Sequence, residues 1–195
     1  MSALHTIEDR ATRRLVHRAF ARLTGRSGDP LLYALMDDTP LGLIGLAAGP
    51  AGLRRLDYIE DEDQFLGRLL GLFPGQPVER SAALDPVRRE LDGYFRGRHF
   101  VFRARVDLSA VTPFQQRVLR ETAKVPAGKV VTYSEVAARA GRPRAARAAG
   151  NALHDNPVAI IVPCHRVLRG DGSLGGYGGG LPAKEWLLRL EGAIG

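Results

Sequence analysis

The segment VAIIVPCHRV, residues 158–167, carries a thiol, an imidazole and a guanidinium on three consecutive residues. Cys164 is the only cysteine of the 195-residue chain, and His165 and Arg166 follow it directly. The thiolate is the attacking form of cysteine, and a thiol with an ordinary pKa of about 8.5 is only a few per cent thiolate at pH 7. A neighbouring imidazole can take the proton, and a guanidinium can stabilise the anion. These residue types predict a nucleophilic cysteine.

Contact between Cys164 and His165 requires a turn, because adjacent side chains of an extended strand point to opposite faces. Pro163 can introduce that turn after residues 158–162, which read as a short strand or extended segment. The alternative is an inert cysteine, since most free cysteines are small buried side chains.

The composition limits the class of protein. One cysteine excludes an internal disulfide and a zinc cluster built on cysteines, and it suits a reducing compartment. No window approaches the roughly 18 apolar residues of a membrane span, and the first 15 residues lack a secretory signal. The sequence therefore predicts a cytoplasmic protein without a membrane segment, built as one large domain or two small ones.

Positive charge is concentrated in the second half of the chain. The net charge is +7, with 12 Lys and Arg against 6 Asp and Glu in residues 109–195, and 16 against 15 in residues 1–108. A basic half favours a polyanionic partner such as nucleic acid, although a soluble basic surface is the alternative.

The first half of the chain mixes helical and strand patterns. Apolar spacing predicts an amphipathic helix over residues 4–23, and the acidic run 60–63 favours the start of another helix. Residues 40–60 indicate two strands around a Gly-Pro-Ala-Gly turn. Residues 85–98 are predicted as helix and residues 99–108, which alternate, as a strand.

The second half reads as mainly helical. Two capping boxes, TPFQ at 112–115 and TYSE at 132–135, predict helices that end near residue 124 and at Gly141. A third helix is predicted from Pro143 to the Asn-Pro pair at 156–157, and a last one from Pro182 to Gly192. Between them, residues 169–173 indicate a turn and residues 175–180 a flexible loop.

The helix pair at 133–153 is typical of a helix-turn-helix. Its second helix can expose Arg144 and Arg147 while alanines, Ala146 among them, keep it slim enough to approach a phosphate backbone. The alternative is an ordinary packed helix whose arginines are merely solvated.

Residues 156–192 resemble the O6-alkylguanine-DNA alkyltransferases. The resemblance lies in PCHRV, in Asn156 and Pro157 before it, and in GGYGGG and LPAKEWLLRLEG after it. The alkyltransferases are DNA-repair proteins that act once. The resemblance covers roughly residues 40–193 and is densest over 112–192. It implies an α+β fold, with a ribonuclease-H-like N-terminal domain and a mainly helical C-terminal domain that contains a winged helix-turn-helix.

The change from mixed to mainly helical patterning places the domain boundary near residues 108–111, which matches the division that the resemblance implies. We predict an N-terminal extension of unknown role at residues 1–38, the ribonuclease-H-like domain at 39–108, and the DNA-binding and alkyl-acceptor domain at 109–195.

The resemblance also implies catalytic roles. Cys164 is expected to accept the alkyl group, His165 to act as general base through a water, and Glu191 to orient and charge-balance His165. Asn156 is expected to hold the active-site turn, Tyr133 to reach the base with its hydroxyl, and Lys184 to align the helix and the tyrosine.

Other residues are implied to contact DNA or the flipped base. Arg147 is expected to fill the gap left by the extruded nucleotide, Tyr177 to form a lid over the guanine, and Gly178 to offer a backbone N–H. The remaining predicted contacts are Arg144, Ala146, Arg166 and Val167.

The implied function is irreversible transfer of an alkyl group from O6-alkylguanine in duplex DNA to Cys164, with activity on O4-alkylthymine left open. The base is flipped from the duplex, the protein approaches the minor groove, and each molecule acts once. We expect no cofactor, no metal and no membrane partner. We also expect a monomer, and the sequence leaves open whether binding along DNA is cooperative.

Two departures affect these expectations. Gly178 stands where some members carry a lid serine, and His154 where some carry an arginine that contacts phosphate.

Three other classes of protein are the alternatives: a DNA-damage marker without chemistry, a cysteine hydrolase that uses Cys164, His165 and Glu191, and a protein with a structural cysteine.

Overall fold

The computed structural model describes residues 28–195. The amphipathic helix predicted over residues 4–23 lies outside the described residues.

A four-stranded sheet forms the first part of the described chain. Its strands are β1 (Leu31–Met36), β2 (Ile44–Gly49), β3 (Gly52–Tyr58) and β4 (Val78–Arg80). The order is β3-β2-β1-β4, with β1–β2 and β2–β3 antiparallel and β1–β4 parallel. The hairpin predicted within residues 40–60 is confirmed, because the ends of β2 and β3 pair across the expected turn.

Strand β1 corrects the predicted boundary at residue 38. It pairs with β2 over five residues and with β4 over three, so this stretch belongs to the sheet and not to an extension. The stretch LLYALM is apolar on both faces, and both faces are covered in the fold. A strand buried on both sides has no alternating pattern to mark it in the sequence.

Two helices cover opposite faces of the sheet. Helix α1 (Glu62–Leu72) begins in the predicted acidic run, where Asp61 accepts a hydrogen bond from the Gln64 backbone N–H at 2.7 Å. It buries Phe65 and Leu69 against one face of the sheet. A short 3₁₀ turn (Ala82–Leu84) leads into helix α2 (Asp85–Phe95), whose apolar side joins the main core on the other face.

The strand predicted over residues 99–108 is wrong. This segment meets the sheet only around Leu53, whose N–H donates to the Arg105 carbonyl and whose carbonyl accepts from the Asp107 N–H, both at 2.8 Å. Its alternating aromatic residues pack instead on the Tyr94 ring of α2, with centroid distances of 5.7 Å for Phe100 and 5.2 Å for Phe102. The alternating apolar residues of this segment therefore reflect packing on Tyr94 and not a strand.

Four helices and a short strand pair make up the second part. The helices are α3 (Pro113–Ala123), α4 (Tyr133–Arg139), α5 (Ala146–His154) and α6 (Gly180–Leu190). Strands β5 (Val131–Thr132) and β6 (Val167–Leu168) are parallel and join the entry of α4 to the segment after the cysteine.

The capping boxes have different outcomes. At α4 both bonds form, because Thr132 accepts from the Glu135 N–H and Glu135 accepts from the Thr132 N–H. At α3 Thr112 caps the helix, but the Gln115 amide donates instead to the Ala152 and Asp155 carbonyls at the end of α5. Gln115 thus ties α3 to α5.

Helix α5 begins three residues later than predicted. Helix α4 ends at Gly141, where φ is +81° and the Arg142 N–H donates back to the Ala137 carbonyl. The Ala145 N–H then donates to the Arg142 carbonyl at 2.9 Å, which closes a further turn before α5. The end of α6 has the same form, with Gly192 at φ +69° as predicted.

The two parts share one hydrophobic core. Leu56 of β3 donates its N–H to the Pro157 carbonyl at 2.9 Å, and the Phe95 and Trp186 rings lie 6.0 Å apart. None of the helices within residues 28–195 has the length and apolar character needed to cross a membrane.

Candidate active site

The segment that leads to Cys164 is a tight buried turn and not the short strand or extended segment predicted over residues 158–162. The Val162 N–H donates to the Val158 carbonyl at 2.9 Å, and Ile160 has φ +69°, a left-handed value that β-branched residues rarely adopt. A 3₁₀ turn (Cys164–Arg166) follows at once. The apolar character of residues 158–162 therefore reflects burial around a turn.

Asn156 bridges the two ends of this turn. Its Nδ2 donates to the Val162 carbonyl at 2.9 Å and lies 3.1 Å from Cys164 Sγ. Its Oδ1 accepts from the Val158 N–H at 3.1 Å. Both ends of one amide thus fix the backbone on either side of Ile160 and the position of the sulfur.

Cys164 is 8% exposed. Burial raises the pKa of its thiol, and the Asn156 amide and the Lys184 ammonium oppose that effect. The resting sulfur is therefore a protonated thiol, which needs a base before it can attack.

His165 and Glu191 form a buried pair. His165 Nε2 lies 3.0 Å from Glu191 Oε1, and both side chains are fully buried. Burial lowers the pKa of His165, so the ring is neutral at pH 7. An ionised Glu191 makes Nε2 the protonated nitrogen, which leaves Nδ1 with a free lone pair. Nδ1 has no hydrogen-bond partner among residues 28–195, so it is available to take a proton.

Glu191 is held ionised by its neighbours. Burial alone would raise the pKa of this carboxyl, but hydrogen bonds from His165, Arg166 and Tyr94 lower it to about 2. Arg166 donates through Nε at 2.8 Å and Nη2 at 2.7 Å, and the Tyr94 hydroxyl donates at 2.6 Å.

Arg166 is corrected by this arrangement. It was predicted to contact DNA or the base, but it is 4% exposed, and its third donor, Nη1, reaches the Val125 carbonyl. Arg166 binds the Glu191 carboxylate instead. Tyr94 was not predicted as a site residue. The available signal was that a buried tyrosine hydroxyl needs a hydrogen-bond partner.

Lys184 is a fully buried cation close to the thiol. Its Nζ donates to the Val167 carbonyl at 2.7 Å and to the Leu174 carbonyl, and it lies 6.0 Å from the Tyr133 ring centroid. Burial lowers its pKa to about 8. Lys184 therefore fixes β6 and the start of the loop, and its charge favours a thiolate at Cys164.

The structure also corrects Val167. Its side chain is fully buried, so it cannot reach DNA, and its carbonyl accepts from Lys184.

Tyr133 stands at the start of α4, partly buried, with its pKa raised by burial. Its hydroxyl passes directly over the loop backbone. A Cβ built on Gly175 would lie 2.7 Å from Tyr133 Oη, and Gly175 has φ +65°. Gly175 is thus the residue that admits Tyr133 to the site, and sequence reasoning placed it only in a flexible loop.

Tyr177 is buried and bonded to the sheet. Its hydroxyl lies 2.9 Å from that of Tyr58, the last residue of β3, and its ring meets the His165 ring edge-on at 6.3 Å. The predicted lid tyrosine thus lies near His165. Gly178 follows it directly, is exposed, and lines a neighbouring cleft beside Asn156 and Tyr58. Its contact with the base stays a prediction.

Cys164 lies in the wall of a cavity of about 610 Å³. Tyr133 and Tyr177 line it from the helix entry and the loop, and Ala146 and Arg147 line it from α5. Arg144 is exposed but lies outside this lining. Arg169 and Ser134, which were not predicted, also line the cavity.

Arg147 and Arg169 line the cavity that holds Cys164. Arg139, Arg142 and Arg144 are further exposed arginines of the helix pair and its connecting turn. Ser134, Asn151 and His154 are the other polar side chains that α4 and α5 contribute to the lining. The surface that opens to the thiol is therefore basic, as the charge distribution predicts.

The chain matches a family model described as "6-O-methylguanine DNA methyltransferase, DNA binding domain" over residues 113–193. The chain is 37% identical to the methylated-DNA–protein-cysteine methyltransferase of Methanosarcina barkeri over 160 residues, which is 82% of this chain and 97% of that protein. It is 39% identical to the Salmonella typhimurium protein of the same name, over 80% of this chain and 93% of that protein.

Solved structures agree with the sequence relatives. The crystal structure of Mycobacterium tuberculosis OGT in complex with DNA superposes with a TM-score of 0.71 at 36% identity, and covers 83% of this chain and 93% of that one. The O6-methylguanine-DNA methyltransferase of Pyrococcus kodakaraensis superposes with a TM-score of 0.60 at 26% identity. It covers 83% of this chain and 99% of that one. The mixed α/β architecture is common to both.

Proposed function

This chain belongs to the methylated-DNA–protein-cysteine methyltransferase family, and on that premise we propose how its own residues carry out the reaction. The protein repairs DNA directly, by transfer of an alkyl group from O6-alkylguanine to a cysteine of its own. The observation that carries the residue assignment is the single thiol, Cys164, placed in the wall of a basic-rimmed cavity beside a buried His165–Glu191 pair.

In this proposal Cys164 is the acceptor. The Asn156 amide holds Sγ from one side, and the Lys184 charge favours the anion as it forms. Because burial keeps the resting thiol protonated, the nucleophile is generated only when a base removes the proton, which protects the sulfur from other electrophiles.

His165 supplies that base. Nδ1 is the free acceptor, and the ionised Glu191 stabilises the imidazolium that results. We propose that one water molecule carries the proton from Sγ to Nδ1. Arg166 and Tyr94 act through Glu191, because they keep the carboxylate ionised and in position.

The sulfur then displaces guanine from the alkyl carbon. A C–S bond forms, the C–O6 bond breaks, and the electron pair stays on the base. The Tyr133 hydroxyl protonates a ring nitrogen as negative charge develops there, and the proton held by His165 restores the tyrosine through solvent. The net products are S-alkylcysteine and guanine. A thioether is not hydrolysed under mild conditions, so each molecule acts once.

The target base must leave the duplex to reach Cys164, at a cost of a few kcal/mol for unstacking. Helix α5 is slim and basic, and we propose that it enters the minor groove, whose degenerate pattern suits a search over all sequences. Arg147 then occupies the space left in the stack, since it lies at the rim of the cavity that receives the base. Arg144, exposed and outside the cavity, contacts phosphate.

Finer aspects of the architecture belong to the same proposal. We propose a ribonuclease-H-like sheet domain that ends near residue 108, now with β1 included, and a winged helix-turn-helix built on α4 and α5 within residues 109–195. The protein acts as a monomer, and its free cysteine suits the cytoplasm.

The acceptor is tested by intact mass after incubation with a duplex that carries one O6-methylguanine. We expect a stoichiometric gain of one methylene on the peptide that contains Cys164, and no further turnover. Cys164→Ala is expected to bind the duplex and gain no mass. Continued turnover would indicate a hydrolase, and repair by Cys164→Ala would exclude Cys164 as acceptor.

The role of Arg147 is tested with a fluorescent base analogue that reports extrusion. Arg147→Ala is expected to lower the extruded fraction about tenfold and the affinity for undamaged duplex less than threefold. Arg144→Ala is the matched control. It is expected to weaken DNA binding and to lower the slope of log affinity against log salt concentration by about the value of one phosphate contact. The extruded fraction should not change. Equal extrusion in Arg147→Ala and the unmodified protein would contradict the assignment.

A further inference from the structure

The glycine-rich loop that carries Tyr177 is bonded to the N-terminal sheet through one residue, Tyr58. The two hydroxyls lie 2.9 Å apart, and the two rings meet edge-on with centroids 6.0 Å apart. The residues are 119 positions apart in the sequence, so this contact joins β3 directly to the loop over the active site.

The fit between the loop and Tyr58 is close on a second side. A Cβ built on Gly179 would lie 2.6 Å from Tyr58 Cε2 and 2.9 Å from Cδ2. The loop backbone thus rests against the Tyr58 ring while Tyr177 bonds its hydroxyl. Tyr58 thus holds this part of the loop against the sheet through its hydroxyl and through its ring.

The tyrosine pair also stands between two cavities. Tyr177 lines the cavity of about 610 Å³ that holds Cys164. Tyr58 and Gly178 line a neighbouring cleft of about 290 Å³, with Asn156 in its wall. His154 lines both spaces, so they are neighbours across the loop.

We propose that Tyr58 is a positioning residue that sets which alkyl groups reach Cys164. This inference rests on the alkyl-transfer function proposed above. With the hydroxyl bond formed, Tyr177 is held against His165 and the cavity suits a small substituent. When the bond is broken, the loop moves away from β3, and the space of the neighbouring cleft becomes accessible to a bulky substituent on O6.

The loop would move on loss of the Tyr58 hydroxyl because the Tyr177 hydroxyl is buried and needs a hydrogen-bond partner. Tyr177 is buried, and Tyr58 is the partner that the structure gives its hydroxyl within residues 28–195. Removal of the Tyr58 hydroxyl leaves the buried Tyr177 hydroxyl without a hydrogen bond, which raises the free energy of the closed loop. The loop can restore a hydrogen bond by exposing the Tyr177 hydroxyl to water. The population of the displaced loop therefore rises roughly tenfold.

Tyr58→Phe tests the proposal, because it keeps the ring that supports Gly179 and removes the hydroxyl alone. The full-length protein is mixed with equal amounts of two otherwise identical duplexes, one with O6-methylguanine and one with O6-benzylguanine. Intact mass gives the ratio of benzyl to methyl adducts on Cys164. Both substrates compete for the same folded molecules, so a loss of stability or of active protein leaves this ratio unchanged.

We expect the benzyl-to-methyl ratio to rise about tenfold in Tyr58→Phe. Tyr33→Phe is the matched control: it removes a comparable hydroxyl, bonded to Glu62 at 2.7 Å on the other face of the sheet, and should leave the ratio as it is. Gly179→Ala, which displaces the Tyr58 ring, should raise the ratio as well.

A ratio within twofold of the unmodified protein in both Tyr58→Phe and Gly179→Ala would overturn the role of Tyr58, provided that methyl transfer occurs. If the unmodified protein gains no mass from either duplex, the proposed function itself is wrong. The two failures are therefore distinguishable in one experiment.

Discussion

The carboxylate of Glu191 connects three parts of the chain. Oε1 accepts from the Tyr94 hydroxyl on α2 and from His165, and Arg166 donates to both carboxylate oxygens. Hydrogen bonds to a charged group are stronger than bonds between neutral groups. Removal of one side chain from this buried network leaves the remaining charged groups without a partner. His165, the proposed general base, is therefore positioned by a network that extends into the N-terminal part.

The acid stability of the protein depends on this carboxylate. Its pKa is about 2 in the folded state and ordinarily 4.5, so its contribution is fully present above pH 4.5 and is lost as the pH falls toward 2. We expect the free energy of unfolding to fall by about 2 kcal/mol between pH 5 and pH 3 on account of this group. Glu191→Gln should remove that part of the pH dependence.

The measurement is urea unfolding of both proteins at several pH values between 5 and 3. Glu185→Gln, on the exposed side of the same helix where Glu185 pairs with Arg189, is the control and should retain the slope of the unmodified protein. Parallel profiles for Glu191→Gln and the unmodified protein would contradict the ionised carboxylate.

Loop 175–180 shows how one backbone conformation decides the position of the Tyr133 hydroxyl. The loop has no regular structure from Gly175 to Gly179, yet Tyr133 and Tyr58 lie against it, and Lys184 holds the Leu174 carbonyl just before it. Glycine is required where φ is positive and where another group approaches the Cα closely, and Gly175 meets both conditions.

Gly175→Ala is expected to slow alkyl transfer at least tenfold. The new methyl group would collide with Tyr133 Oη, and the left-handed backbone would be strained, so the hydroxyl moves away from the leaving base. Single-turnover kinetics with an O6-methylguanine duplex measure the effect. Gly176→Ala is the matched control, because a Cβ there meets no atom within 4 Å. An equal loss of rate in both variants would show that the effect is not specific to Tyr133.

At the scale of the whole molecule, the sheet and the helical part are one structural unit. Their core is continuous, and bonds from Leu56, Tyr58 and Tyr94 reach the active-site turn, the loop and Glu191 respectively. The N-terminal part thus contacts three segments of the site, while the exposed arginines lie on α4, α5 and the turn between them. This arrangement explains how a domain without a catalytic residue of its own can influence the chemistry.

We therefore expect a single cooperative unfolding transition. Trp186 is the only tryptophan of the chain and packs on Phe95 across the boundary, so its fluorescence reports whether the two parts are docked. In urea the fluorescence and far-ultraviolet circular dichroism transitions should coincide. A fluorescence change at lower urea than the dichroism change would show that the parts separate first.

The sequence by itself predicted the candidate reacting residues and most of the helices. The cysteine, the histidine and the Glu-Gly end of the last helix stand in a specific local order, and caps such as Thr132–Glu135 are interactions between residues three positions apart. Local interactions of this kind depend on neighbouring residues alone, so a single sequence reveals them.

Only the tertiary structure decided the rest. Strand β1 is apolar on both faces, residues 99–108 alternate for aromatic packing, and residues 158–162 are apolar because they form a buried turn. Arg166 faces Glu191 and not DNA, and Tyr58 and Tyr94 reach the site from other elements. Hydrophobic patterning records that a residue is buried but not which partner covers it, because that partner comes from a distant part of the chain.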